Sequence, residues 1–390
     1  MPQIAGFRGL VWDLSKVELA KVATAPQVDP RGAIARGELV RDAMRAVYRY
    51  HQAFSVGTRT LVRKMWFAAI ALESWSEGSM RRHEATDPRQ YQAQLAAIST
   101  NATHIDPVWV GYRDAAGEVE RLFRKAEAGA PLYDITTADG TTHKIWRCNS
   151  AELIGALRPL FAPKKLHVLD NSARYEAMVS FRDQLANADA LPMYSSANFG
   201  LGCLVNMADP ALVVGARHRV VRTGNVAAQR TLDAAKPYFI VEEIPGAAND
   251  LAKQLAALAE TVAHQPAFIA LFPGESSAWK LTLSPDVSPV AEGVPVPRGI
   301  QKYDPIVVDQ LFLRLMVPDV NAEIADDANQ VIAAMASGAQ LGLLMRPLTI
   351  DQIVHADDLG ALLPVGSTAF FPSLAPHVLG YVVDPNEDVV

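Results

Sequence analysis

The chain has 390 residues, half of them hydrophobic and a fifth charged, with a formal net charge of −6. That length suits about two domains. The acidic balance argues against nucleic acid as a partner, and no apolar run reaches the ~18 residues that mark a membrane span. Cys148 and Cys203 give neither a metal-binding spacing nor a disulfide framework. The first residues, MPQIAGFRGLVWDLSK, lack the apolar stretch of a secretory signal, so a cytoplasmic location is expected.

The first 40 residues show no long period. Ala46 to Phe54 alternates like a strand, and Trp66 to Trp75 fits a strand or a buried helix. Residues 88–105 read as helix, Val108 to Tyr112 as a short strand and Glu118 to Glu127 as a charged helix. Asp139-Gly140 lies between alternating runs, Tyr133 to Thr136 and His143 to Arg147, which predicts a hairpin. Leu166 to Leu169 ends a buried strand, and after Asp170, Asn171 and Ser172 a helical pattern runs from Ala173 to about Leu185. Gly200-Leu201-Gly202 reads as a turn into a strand at Gly202 to Met207, with Asp209-Pro210 as the next turn. An apolar stretch, Ala211 to Gly215, precedes Arg217-His218-Arg219, and residues 222–236 fit linker or helix.

Leu251, Leu255, Leu258 and Val262 share one helical face. Phe268 to Phe272 and Trp279 to Leu283 read as strands around a Pro-Gly turn, and the prolines of 285–299 predict a surface loop. Helices are expected near 305–315 and 327–337, with a strand at Gln340 to Met345. Thr349 and Gln352 form a capping box that opens a helix to about Leu359. Two short strands, Ser367 to Phe371 and Val378 to Val383, close the chain. Short strands alternating with helices give a mixed α/β class, α+β in character. The expected division is 1–240, carrying the strand–Asp170–helix turn, and 241–390, contributing Ser367-Thr368.

The candidate chemistry starts at Asp170. A strand turning sharply into a helix exposes the helix's first amides, which favour anions. Asp170 would serve as base or metal ligand and Arg174 as charge partner to a phosphate or carboxylate. The same residues also make an ordinary junction with good capping residues. His83-Glu84-Ala85-Thr86 brings an imidazole, a carboxylate and a hydroxyl together, or forms a solvated turn. Arg217-His218-Arg219 is a phosphate clamp or a surface strand end, since arginine offers oxyanions a planar donor fork. Ser367-Thr368 could donate hydroxyls to a substrate oxygen, or simply begin a strand. Walker, dinucleotide-binding and His-Glu-x-x-His patterns are all missing from the sequence.

Taken in order, these pieces resemble the prokaryotic domain of unknown function 1015 family, also labelled SerC-like. Asp170-Asn171-Ser172-Ala173-Arg174-Tyr175-Glu176-Ala177 is similar to its D-G-H-H-R-Y-E-A, and Tyr48 to Phe54 to its Y-x-Y-x-Q-x-F. Gly78 with His83-Glu84-Ala85-Thr86 looks like G-x-V-x-x-H-E-x-T, and His143 with Trp146 like H-x-L-W. Leu204 through Asp209-Pro210 to His218-Arg219 looks like L-V-x-M-x-D-P-G-L to H-R. Leu344 to Pro347 and Leu363 to Pro372 resemble F-L-x-P and M-P-x-K-S-T-x-F-x-P-K.

The resemblance implies a ParB/sulfiredoxin-like core with large additional mixed-sheet elements. It also implies phosphoryl transfer or hydrolysis on a small serine- or phosphoserine-like substrate, with Mg²⁺ and a nucleotide as cofactors. In that reading Asp170, Glu84, His83 and His218 are catalytic, while Arg174, Arg219, Asn171, Ser172, Ser367 and Thr368 hold phosphate or substrate. The alternative is a catalytically degenerate paralogue that binds a nucleotide or phospho-metabolite. A homo-oligomer is compatible with either. The chain departs from the family pattern in three motifs. Asn171-Ser172-Ala173 replace Gly-His-His, Gly366 and Ser373 replace two lysines, and Ala25-Pro26-Gln27-Val28-Asp29 stands for an early P-P-Y-D. Lost imidazoles remove general acids, and a lost lysine removes charge that would neutralise a phosphoryl group.

Overall fold

Alternating apolar residues over 47–71 fold into two long strands, β2 (Val47–Val56) and β3 (Arg59–Ala71), after a short β1 (Ile4–Ala5). They turn at Gly57, whose φ of +58° suits a residue without a side chain. In this computed structural model residues 4–224, 226–262, 264–318 and 320–389 are described. They divide into two compact units. The first holds the chain up to Arg82, Thr86–Val213 and everything from Pro372 onward; the second holds His83–Ala85 and Val214–Phe371. The sequence-based division at 240 partitions the chain differently.

The first unit is built on a nine-stranded mixed sheet. Its other strands are β4 (Met80–Arg82), β5 (Val108–Tyr112), β6 (Tyr133–Thr136), β7 (Thr142–Cys148), β8 (Leu166–Asp170) and β9 (Phe199–Asn206). The order is β4-β8-β5-β9-β3-β2-β7-β6, with β1 beside β3. β8 runs parallel to β4 and antiparallel to β5, and β9 runs parallel to β5. Trp66, Trp109, Tyr48, Tyr50 and Tyr112 are fully buried on this sheet. Trp66 and Tyr112 pack on Phe161, and Trp66 also meets Phe123. These contacts dock α2 (Glu118–Glu127) and α3 (Ala151–Phe161), the helices that follow α1 (Pro88–Asn101). Each such aromatic contributes about 1.5–3 kcal/mol by leaving water.

α4 (Ser172–Ala188) buries Ala173, Tyr175, Ala177, Met178 and Phe181, and the Tyr91 hydroxyl of α1 donates to Ser180 at 3.0 Å. Gly200-Leu201-Gly202 is not the expected turn but the start of β9. A Cβ on Gly200 would lie 2.8 Å from Met178 Sδ, so glycine lets α4 approach the strand. α1 also stops short of residue 105, because Thr103–His104 forms a short strand against Tyr381–Val382.

The second unit carries a six-stranded sheet. Its strands are β10 (His218–Val221), β11 (Phe239–Ile244), β12 (Ala267–Leu271), β13 (Ala278–Leu283), β14 (Ala322–Ala325) and β15 (Leu341–Met345). They lie in the order β11-β13-β12-β15-β10-β14. Arg217-His218-Arg219 therefore does not end a surface strand: His218 and Arg219 begin a buried one. Residues 222–236 contain a helix at Ala228–Ala235, and the segment near 305–315 winds as a π-helix over Val307–Leu313. The Thr349 capping box forms as the sequence requires. Among the described residues no helix is long and apolar enough to cross a membrane.

Candidate functional site

β8 does not keep a regular register to its end. Val168 pairs with Val110 but Asp170 pairs with Trp109, so a bulge falls at Leu169 and re-aims the last residue. Asp170 is exposed, and its Oδ1 accepts the Asn171 amide at 2.8 Å. Asn171 takes the left-handed conformation, φ +67°, a region asparagine tolerates better than most residues. As helix N-cap it makes no side-chain cap bond, so the amides around Ser172 are not used up by a cap.

Arg174 lies in the first turn of α4. It donates from Nε to Gln94 Oε1 at 3.1 Å, from Nη1 to the Pro107 carbonyl at 3.1 Å and from Nη2 to Asp106 Oδ2 at 3.4 Å. Three of its five N–H groups are thereby used, leaving two without a partner among the described residues. Arg174 forms part of the wall of a cavity of about 470 Å³ in the first unit, together with Pro26, Val28, Gln94, His104, Asp106 and His377. Asp106 also accepts the His377 amide at 2.9 Å, and His377 Nδ1 lies 2.8 Å from the same oxygen. Burial pushes the Asp106 carboxyl up, but His377 and Arg174 outweigh it and hold the group below its usual range. His377 adopts φ +61°, and its Nε2 faces the Ala25 carbonyl at 3.2 Å. Such a backbone is costly for a residue with a Cβ and here fixes one wall of the cavity.

A family model described as protein of unknown function (DUF1015) matches residues 16–304. The chain belongs to the DUF1015 family. No curated protein matches this DUF1015 chain. Among solved structures, a conserved hypothetical protein from Pyrococcus furiosus is 10% identical, with a TM-score of 0.38 over 76% of this chain and 90% of that one. A free serine kinase in complex with AMP is 10% identical, TM-score 0.37, over 75% and 83%. SbnI with a C-terminal truncation from Staphylococcus aureus is 11% identical, TM-score 0.39, over 83% and 91%. Likenesses of that size assign no residue and no activity to the DUF1015 chain.

The remaining residues singled out in the sequence lie in the second unit. Glu84 accepts the Gly366 amide at 2.9 Å and the Thr368 amide at 2.7 Å, and the Thr368 hydroxyl also donates to it. His83 Nε2 sits 2.8 Å from Thr368 Oγ1, and Ser367 donates to the Pro364 carbonyl at 2.6 Å. Together they shape the 363–368 loop. Gly366, standing where the family pattern has lysine, has φ +68°, and a Cβ there would clash with the Ile324 side chain. Arg219 makes a fork to Asp309, Nε–Oδ1 2.9 Å and Nη2–Oδ2 2.7 Å, and gives Nη1 to the Gly366 carbonyl at 2.9 Å. His218 accepts the Met345 amide on Nδ1 at 3.1 Å, and burial lowers its pKa to about 4, so at neutral pH its ring is uncharged.

Burial alone would raise the Glu84 carboxyl. His83, Thr368 and the Gly366 amide outweigh burial and hold it below its usual 4.5. A depressed folded value stabilises above the unfolded pKa and is lost as pH falls through the folded one. Urea midpoints for the second unit should therefore drop on acidification below pH 4.5. Glu84→Gln should lower the neutral-pH stability by about 1–2 kcal/mol and flatten that acid limb. An unchanged acid limb in Glu84→Gln would mean that other carboxylates govern it.

His104, Asp106 and His377 were not singled out in the sequence, although they share the cavity wall with Arg174. The one local signal is His104-Ile105-Asp106, whose alternation puts both polar side chains on one side of extended backbone. Among the described residues no group of three or more His, Cys, Asp or Glu could hold a metal ion. Asp170 alone does not make a protein-held Mg²⁺ site, which needs near-octahedral oxygen ligands.

Proposed function

We propose that the chain binds a small anionic metabolite, bearing phosphate or carboxylate, in the cavity beside Arg174. One observation carries this: a guanidinium only 14% exposed, with two donors to spare among the described residues, borders a cavity wide enough for a metabolite and belongs to the first turn of a seventeen-residue helix without a side-chain cap. Guanidinium forks and helix-start amides both favour oxyanions. Pro26, Gln27 and Val28 of the wall lie in the stretch, Ala25 to Asp29, that stands for the family's P-P-Y-D, so two motif-bearing segments border one cavity. In this reading Arg174 anchors the anion, while Asn171 and Ser172 shape the turn that leads into α4 and do not line the cavity. His83, Glu84, His218, Arg219, Ser367 and Thr368 shape the second unit.

A second reading is phosphoryl transfer on a serine- or phosphoserine-like substrate. It is favoured by the charge of exposed Asp170, which acts through space on Arg174, the anion anchor, without forming an ion pair with it. Such transfer is mostly positioning and charge neutralisation. Melting curves with AMP, ADP, ATP, CTP, L-serine and phosphoserine test binding. Turnover of the same donors with L-serine or phosphoserine and Mg²⁺ tests transfer. Binding alone predicts a ligand-induced rise in Tm that survives Asp170→Asn, with no turnover. Turnover that Asp170→Asn abolishes would establish the second reading. No ligand response at all would sink both.

A further inference from the structure

His104 stacks on Tyr381, ring centroids 5.5 Å apart, and its Nδ1 accepts the Leu201 amide at 3.3 Å. An imidazole that accepts at Nδ1 carries its proton on Nε2. That Nε2–H is buried and has no hydrogen-bond partner among the described residues, in a side chain that forms part of the Arg174 cavity wall. Burial and the Arg174 charge lower the His104 pKa to about 3, so the ring stays neutral. Buried donors are nearly always satisfied, and one left over beside a cavity points to a group that arrives from outside.

The charges around the cavity decide what that group is. Arg174 and Asp106 offset each other, and His377 is engaged with Asp106 and the Ala25 carbonyl. Among the described residues no further lysine or arginine belongs to the wall. A phosphate ester, a dianion above about pH 6, would meet one already paired guanidinium. A carboxylate needs less charge and matches a planar donor set. We propose that His104 Nε2–H and the two remaining Arg174 donors receive one carboxylate group, so that the cavity takes a carboxylate monoanion in preference to a phosphate dianion. This rests on the reading of the cavity as an anion site.

The test pairs glycerate with glycerol 3-phosphate and butyrate with butyl phosphate, titrated into the full chain at about pH 8, where the esters are dianions. Melting temperature and the ¹H–¹⁵N ring spectrum of the histidines are the readouts. The expected result is tighter binding of each carboxylate than of its phosphate partner, with the His104 Nε2–H resonance moving on titration. His104→Phe should weaken the carboxylates about 10-fold, and His104→Gln, which returns an N–H near the Nε2 position, should recover part of that. The ring spectrum of the unsubstituted protein decides the matter should either variant fold poorly. Phosphate esters binding more tightly, or carboxylates binding without moving the His104 resonance, would overturn the inference and leave the anion site standing. Failure of both ligand classes would overturn the anion site as well.

Discussion

Replacing Arg219 with alanine will destabilise the second unit by about 3–5 kcal/mol and leave ligand binding at Arg174 unchanged. The sequence offers Arg219 as a phosphate holder beside His218. Its guanidinium is 3% exposed and already engaged: a two-point fork on Asp309, the Gly366 carbonyl and the His218 carbonyl. Truncation strands the Asp309 carboxylate, 19% exposed, without its cation, and removes the Arg219 donor from the Gly366 carbonyl. Losing one partner of a buried pair costs far more than the intact pair contributes, because the survivor stays desolvated. Arg219→Lys should recover less than half of the loss, since an ammonium cannot reproduce the fork and reach Gly366 at once. Urea unfolding followed by hydrogen exchange of amides in Val214–Phe371 reads the second unit. A stable Arg219→Ala protein that no longer binds phosphate ligands would instead establish the clamp.

Local chemistry made much of the fold legible. The Asp139-Gly140 hairpin, the Thr349–Gln352 capping box and the strand–Asp170–helix turn each depend on residues within a few positions of one another. The reading failed where long-range packing decided. Gly200 and Gly202 look like turn residues, yet they sit inside a buried strand because Met178 and Ile70 occupy the space of their missing side chains. His218 and Arg219 look like a surface strand end, but the Asp309 that offsets the burial of Arg219 lies 90 residues away in sequence, and the Met345 amide that bonds His218 lies 127 residues away. The candidate site was half visible. Arg174 stands in a recognisable motif, whereas His377 is 271 residues from the Asp106 it contacts, and no local pattern joins them. Nor does spacing alone reveal that the residues singled out divide between two units.

Arg174→Ala should abolish the ligand-induced rise in Tm and weaken binding by about 100-fold, from loss of two charge-assisted hydrogen bonds at about 1.5 kcal/mol each. It should also lower the stability of the first unit by about 2–3 kcal/mol, because Asp106 stays desolvated with its cation gone. These two losses have different causes and can be separated. Asp106→Asn removes the charge that Arg174 offsets, so the double variant Asp106→Asn, Arg174→Ala should regain most of the stability lost in Arg174→Ala. Its ligand response should remain absent, since no donor fork has returned. Arg174→Lys makes the complementary case: the charge beside Asp106 is kept and stability largely holds, while affinity falls because a point charge cannot bridge both oxygens of an anion. If the double variant recovered binding together with stability, Arg174 would be acting only through Asp106. The anion would then be held elsewhere on the cavity wall, with His104 the first residue to examine.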